Sequence, residues 1–203
     1  RMRRSLAYGV WIAVVMAGGP PVGAAAVVGE PAPDFSAADT SGATRSLAEF
    51  KGRFVVLEWF NPECPFVRKH YGSGNMQGLQ AAATARGVAW LTVASSAPGK
   101  QGHLTPEQAG AAIQELGAKQ TALLLDPDGT VGRRYGAKTT PHLFLIGPEG
   151  RLLYAGAIDD RPSVDPDDIP GATNYLQQAL DEALAGEPVS VPQTKPYGCS
   201  VKY

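Results

Sequence analysis

The chain has few cysteines, no repeats and little clustered charge, and each scarcity narrows what it can be. Cys64 and Cys199 are the only two cysteines among 203 residues, too few for a small disulfide-stapled scaffold. A chain of this length buries a core without staples, so a disulfide is not needed for folding. The two thiols can form a single structural bridge, or they can be the two halves of a redox pair. No tract is of low complexity. Lys and Arg are dispersed except at the extreme N-terminus, and the formal net charge is -1. Nothing in that distribution points to nucleic acid or an anionic membrane surface as a partner. With 44% hydrophobic and 18% charged residues, the composition is that of one ordinary globular domain.

Long apolar runs are also missing, with one exception. Arg1, Arg3 and Arg4 precede an apolar stretch from Leu6 to Ala17, then Gly-Gly-Pro-Pro and the small residues Gly23 to Ala26. This is the n-region, h-region and small-residue cleavage site of a secretory signal. The stretch is short for a bilayer span, and no cysteine stands near it to carry a lipid. The expected division is a signal peptide over 1–26, a folded domain over 27–186 and an extended tail over 187–203. The expected location is periplasmic or secreted, non-lipidated, with no stable membrane span after cleavage.

What is present reads as alternating strands and helices. Val28–Phe35 is a Pro-rich lead-in, and Leu47–Arg53 a short helical turn ending at Gly52. Phe54–Phe60 and Val88–Ala94 are β-branched and aromatic runs of buried-strand type. Between them a helix starts at Pro65, breaks at Gly72-Ser-Gly-Asn75 and resumes from Met76 to Arg86. Thr105-Pro-Glu-Gln108 opens another helix with a capping box. Thr121–Leu125 is a strand, and Thr130–Tyr135 a short helix. His142–Ile146 and Arg151–Ala155 flank a Gly147-Pro-Glu-Gly150 hairpin turn. Asp159 to Gly171 is an acidic loop, with Asp159 and Asp160 read as a solvated turn. Ala172–Ala185 is an amphipathic helix. The tail, with Pro188, Pro192 and Pro196, is expected to be extended and to lie on the surface. Helices alternating with buried strands predict an α/β sheet covered on both faces.

Glu58-Trp-Phe-Asn-Pro-Glu-Cys64-Pro65 carries the chemistry. A cysteine where a strand runs into a helix meets unpaired N–H groups and the positive end of the helix dipole, which favour thiolate, the nucleophilic form. Glu58, a carboxylate in a buried strand, has a raised pKa and can relay protons to a sulfur leaving group, or it can be a structural partner of a Lys or Arg. Cys199 has two readings besides a redox one: a static bridge, or pairing with another chain.

This stretch resembles the thioredoxin active site. The resemblance spans residues 30 to 185. It rests also on Glu58 six positions before the cysteine, on Thr140-Pro141 at the place of the cis-proline loop, and on the Asp126-Pro-Asp-Gly129 turn and last hairpin. More narrowly, Asn61-Pro-Glu-Cys-Pro-Phe-Val67 and Gly198-Cys199-Ser-Val-Lys resemble bacterial peroxiredoxin-like redoxin-domain proteins of the AhpC/TSA type. The resemblance implies a thioredoxin-like fold with a central mixed β-sheet flanked by helices on both faces. It implies a thiol oxidoreductase in which Cys64 reduces a peroxide or disulfide, Cys199 resolves and Glu58 handles protons. Asn61, Pro65, Thr140 and Pro141 would meet substrate, an outside thiol protein would supply electrons, and no metal or cofactor is needed. Two positions depart from the pattern. Val67 stands where a thioredoxin has its second cysteine, which excludes a CxxC dithiol. Asn61 and Leu57 stand where a peroxiredoxin has its Thr or Ser and its Pro. Asn61 is the available hydrogen-bonding substitute.

Overall fold

The structure is a computed structural model, and it describes residues 25–203. The expected signal segment lies outside the described residues except for Ala25 and Ala26. The Ala26 N–H donates to the Arg134 carbonyl at 3.0 Å.

The strands are β1 (Ser36–Asp39), β2 (Thr44–Ser46), β3 (Val55–Trp59), β4 (Ala89–Ala94), β5 (Ala122–Leu125), β6 (Thr139–Thr140), β7 (His142–Ile146), β8 (Leu152–Gly156) and β9 (Cys199–Ser200). The helices are α1 (Pro65–Gly72), α2 (Asn75–Ala85), α3 (Pro106–Leu116), α4 (Thr130–Tyr135) and α5 (Tyr175–Leu184). Seven strands form one mixed sheet in the order β2-β1-β5-β4-β3-β7-β8. β3, β4 and β5 run parallel, joined by helices, whereas β7 enters antiparallel beside β3 and turns back into β8. Every residue of β3, β4 and β7 is buried, as unbroken apolar runs require in strands covered on both faces.

Strand alternation divides the core in two. Val56, Phe60 and Trp90 face a cluster completed by Cys64, Val67 and Tyr71 of the active-site segment, Met76 and Leu79 of α2, and Leu176 and Leu180 of α5. Val55, Leu57 and Trp59 face the other cluster, with Phe35, Val131, Tyr135 and Phe144. Each buried Leu, Val or Phe contributes about 1.5–3 kcal/mol over leaving it in water.

The helix break falls at Ser73 and Gly74. Gly74 is left-handed at φ 79 and caps α2. The Thr105 hydroxyl accepts from the Gln108 N–H, and Gln108 reaches back to the Thr105 N–H. α5 starts three residues later than the periodicity predicts, because Asn174 caps it through Oδ1 to the Gln177 N–H at 2.8 Å. β1 and β2 form a hairpin between the lead-in and the helical turn at Leu47, a stretch for which the sequence predicts no element. Asp39 Oδ1 closes its turn on Ser41 and Ala43, and Oδ2 accepts from Arg45.

The tail is extended, but it does not merely lie on the surface. Thr194 is inserted against β8, with its Oγ1 2.7 Å from Tyr154 Oη and accepting from the Ala157 N–H. β9 then pairs antiparallel with β6, Thr140 opposite Cys199. Asp159 is buried rather than solvated, whereas Asp160 is exposed. Among the described residues no helix is long and apolar enough to cross a membrane.

Candidate active site

Asn61 shapes the turn that delivers the cysteine. Its Oδ1 accepts from the Glu63 N–H at 2.9 Å, and its carbonyl accepts from the Cys64 N–H at 3.1 Å. β3 is thereby stopped, Cys64 becomes the N-cap of α1 and Pro65 its first helical residue. Asn61 is thus committed to the turn, and Gly102 of the following loop is packed on its amide. Glu63 points outward, is exposed, and receives the Gly102 N–H.

Three elements converge on the Cys64 sulfur, which is fully buried. Sγ lies 2.8 Å from Cys199 Sγ, across 135 positions of sequence, and 3.0 Å from the Thr140 carbonyl oxygen. The Thr140–Pro141 peptide is cis. Burial pushes the Cys64 thiol up. Hydrogen bonds to its sulfur from the Cys199 thiol, the Thr140 side chain and the Val67 and Cys199 backbone N–H groups outweigh that, so its pKa lies below the ordinary thiol value. Cys199 moves the other way, to about 11, through burial and then the neighbouring Cys64 sulfur. The pair is therefore asymmetric: Cys64 is the more acidic thiol and Cys199 the less acidic one.

Close approach of the tail depends on Gly198. Its φ is +136, and a Cβ there would overlap the Thr140 carbonyl oxygen. Only glycine combines that backbone with that clearance.

Glu58 is fully buried on the Cys64 side of the sheet, and among the described residues it has no cationic partner. Trp90 Nε1 at 2.7 Å, Tyr71 Oη at 2.9 Å, Gln80 Nε2 at 3.2 Å and Thr92 Oγ1 at 3.3 Å all donate to its carboxylate. Burial raises its pKa to about 7, with those four donors resisting. Trp90 reads from sequence only as a core aromatic. Its indole is the closest donor to Glu58, which no local pattern announces.

Three further side chains with chemistry to offer, His142, Arg133 and Arg134, fall elsewhere. His142 projects from β7 onto the opposite face, stacks on Phe144 at 4.3 Å and accepts the Lys138 N–H. Arg133 donates to the Asp128 carbonyl and covers the Tyr203 ring, and Arg134 donates to the Asp34 carbonyl, so neither reaches Cys64. Among the described residues no group of three or more His, Cys, Asp or Glu could hold a metal ion.

Solved structures resemble the fold. A hypothetical protein from Sinorhizobium meliloti 1021 is 28% identical, with a TM-score of 0.74 over 89% of this chain and 96% of that one. An uncharacterized conserved protein from Geobacillus kaustophilus is 27% identical, with a TM-score of 0.73 over 87% of this chain and 92% of that one. A candidate thiol:disulfide interchange protein DsbE from Chlorobium tepidum is 25% identical, with a TM-score of 0.59 over 79% of this chain and 99% of that one. No curated protein matches the sequence. Residues 28–155 match the AhpC/TSA family, from the lead-in through the cysteine turn and the cis-proline loop to β8. The chain belongs to the AhpC/TSA family, a thioredoxin-like family of thiol–disulfide oxidoreductases.

Proposed function

We propose that the protein is a two-cysteine, peroxiredoxin-like thiol oxidoreductase in which Cys64 is the nucleophile and Cys199 resolves it. The observation that carries this reading is the 2.8 Å separation of the two sulfurs, with the lower pKa on Cys64. The Cys64 thiolate attacks a peroxide, taking one oxygen as a sulfenic acid and releasing an alcohol or water. The Cys199 thiol then attacks that sulfur. A Cys64–Cys199 disulfide forms and water leaves, which spares Cys64 from over-oxidation. An external dithiol protein reduces the bond. A disulfide substrate enters the same cycle through a mixed disulfide on Cys64.

Glu58 is the proton reservoir in this reading. A carboxyl that titrates near pH 7 holds and returns a proton at physiological pH. Its hydrogen-bond partners are Tyr71, Gln80, Trp90 and Thr92, so a proton reaches the sulfur through water admitted when the tail lifts. Asn61, Pro65, Thr140 and Pro141 frame the approach to Cys64. An exported, oxidising compartment suits such a pair and agrees with the basic-then-apolar N-terminal segment.

One observation favours a second reading, disulfide exchange with client proteins. β9 is a cysteine-bearing extended segment laid antiparallel on Thr139–Thr140, a mode a client peptide can copy by adding a strand. Asn61, held in its turn, also brings no hydroxyl to a peroxide. Mixing the reduced chain with hydrogen peroxide and, separately, with a cysteine-containing peptide disulfide tells the two apart. Peroxidase function predicts that peroxide oxidises Cys64 orders of magnitude faster than a free thiol. A peroxide rate equal to a free thiol, with rapid peptide exchange, replaces it by the client reading. No acceleration with either oxidant removes both.

A further inference from the structure

The tail meets the body on both sides of Cys199, by two unlike attachments. Downstream it is mainly backbone: the two-residue β6–β9 ladder, the Val201 N–H on the Lys138 carbonyl and the Ala97 N–H on the Lys202 carbonyl, closed by the Tyr203 hydroxyl on the Ala137 carbonyl. Upstream, beyond the Thr194 anchor on β8, the side chain nearest Cys199 that holds the tail is Tyr197. Its ring meets Phe66 of α1 edge-on, with centroids 5.7 Å apart. Its hydroxyl lies 2.5 Å from Asp159 Oδ1 and 3.2 Å from His70 Nε2. His70 is fully buried and Asp159 nearly so.

Protons run through these groups in one direction. The phenol has a single hydrogen, and the carboxylate can only accept it, so Tyr197 donates to Asp159. The phenol oxygen then accepts from His70 Nε2–H. That leaves His70 Nδ1 as an acceptor, and Asn75 Nδ2 donates to it at 2.9 Å. Burial, then the Asp159 hydrogen bond, keeps the Tyr197 proton on the phenol well beyond the usual range. The relay Asn75–His70–Tyr197–Asp159 ties the helix that starts at Cys64, the loop after β8 and the tail two residues before Cys199. It is complete only with the tail docked.

Cys64 has no exposed surface beneath the tail, so oxidant entry requires the tail to lift, and resolution requires it to return. We propose that Tyr197, seated on Asp159 and His70, is the positioning residue that returns Cys199 to Cys64 after each oxidation. The proposal rests on the two-cysteine reading above. Tyr197 touches neither sulfur. The step it serves is Cys64 sulfenic acid plus Cys199 thiol giving the disulfide and water.

The test oxidises the reduced full chain with hydrogen peroxide, quenches at intervals with an alkylating agent and counts Cys64 sulfenic acid, sulfinic acid and disulfide by mass spectrometry. In Tyr197→Phe, Cys64 is consumed at least as fast as in the wild type. The disulfide forms about tenfold more slowly, as loss of one hydrogen bond to a charged group implies, and sulfinic acid rises. A merely structural tyrosine would not separate those two rates. Asp159→Asn, which keeps an oxygen for the phenol, stays within about threefold of the wild type, whereas Asp159→Ala matches Tyr197→Phe. Wild-type disulfide rates in Tyr197→Phe overturn the proposal. If that variant fails to fold, equal rates in Asp159→Asn and Asp159→Ala overturn it instead. A wild-type chain that behaves like Cys199→Ser overturns the two-cysteine reading and the proposal with it.

Discussion

Cys64 sits where a fully buried strand turns into a helix, covered by the tail and fixed through the Asn61 turn. Cys199 sits 2.8 Å away on a segment interrupted by Pro192 and Pro196, whose ladder to the body is two residues long. One sulfur belongs to the core, and the other is delivered to it. The contrast teaches that a nucleophile is kept in one place by the turn that delivers it, whereas a resolving thiol needs a route away and back. The pKa directions separate the two sulfurs as well: against burial, Cys64 is held down by the docked Cys199 and by Thr140 and Val67 of the body, and Cys199 is pushed up by burial beside that sulfur.

The sharpest way to break the comparison is to remove each sulfur in turn. Cys64→Ser reduces oxidant consumption to that of an ordinary free thiol, because the remaining Cys199 lacks the helix N-terminus that activates Cys64. Cys199→Ser keeps the first oxidation and stops at sulfenic then sulfinic acid, as quenched mass spectrometry would read. Gly198→Ala is next. The added Cβ meets the Thr140 carbonyl, so the tail is displaced and Cys64 is uncovered. Alkylation of Cys64 by iodoacetamide then rises about tenfold, the size expected when a buried, hydrogen-bonded contact is lost.

Glu58→Gln probes the core side. Glu58 folds with its pKa raised from 4.5 to about 7, so the proton is bound more tightly in the folded chain. Its contribution to stability is full below pH 4.5 and is lost as pH rises through about 7, on the order of 3 kcal/mol in all. His70 and His142 act oppositely. Burial lowers them from 6.5 to about 4 and about 3, so their contribution is full above pH 6.5 and is lost as pH falls through those values. Thermal melts of the wild type and Glu58→Gln from pH 4 to 8 should differ by a slope confined to the 4.5–7 window. Parallel curves would refute the assignment of that titration to Glu58. The smallest effect is the control: Asn174→Ala removes the α5 cap, costs about 1 kcal/mol by denaturant titration and leaves the thiol rates unchanged.

What could be read from sequence divides along the same line as the sulfurs. The broken helix at Ser73–Gly74, the capped start at Thr105 and the β7–β8 hairpin are governed by residues close in the chain, and local chemistry is visible in a string of letters. The cis peptide at Thr140–Pro141 was expected because a family resemblance placed it there, not because the letters alone demand it. The β6–β9 ladder joins residues 59 positions apart, and neither strand exceeds two residues, so no periodicity betrays it. Asp159 reads as a solvated turn because its partner Tyr197 is 38 residues away. The donors around Glu58 come from α1, α2 and β4. Only folding reveals that the acid's neighbours are neutral rather than a Lys or Arg.

The most direct test of a fixed nucleophile with a delivered resolver is a thiol redox titration of the full chain, with cysteine-containing peptides mapped by mass spectrometry at each potential. The account predicts a two-electron transition in which Cys64 and Cys199 lose their thiols together and appear in one intramolecular peptide pair. Oxidation of Cys64 with Cys199 still alkylatable throughout, or a bond between separate chains, would contradict it.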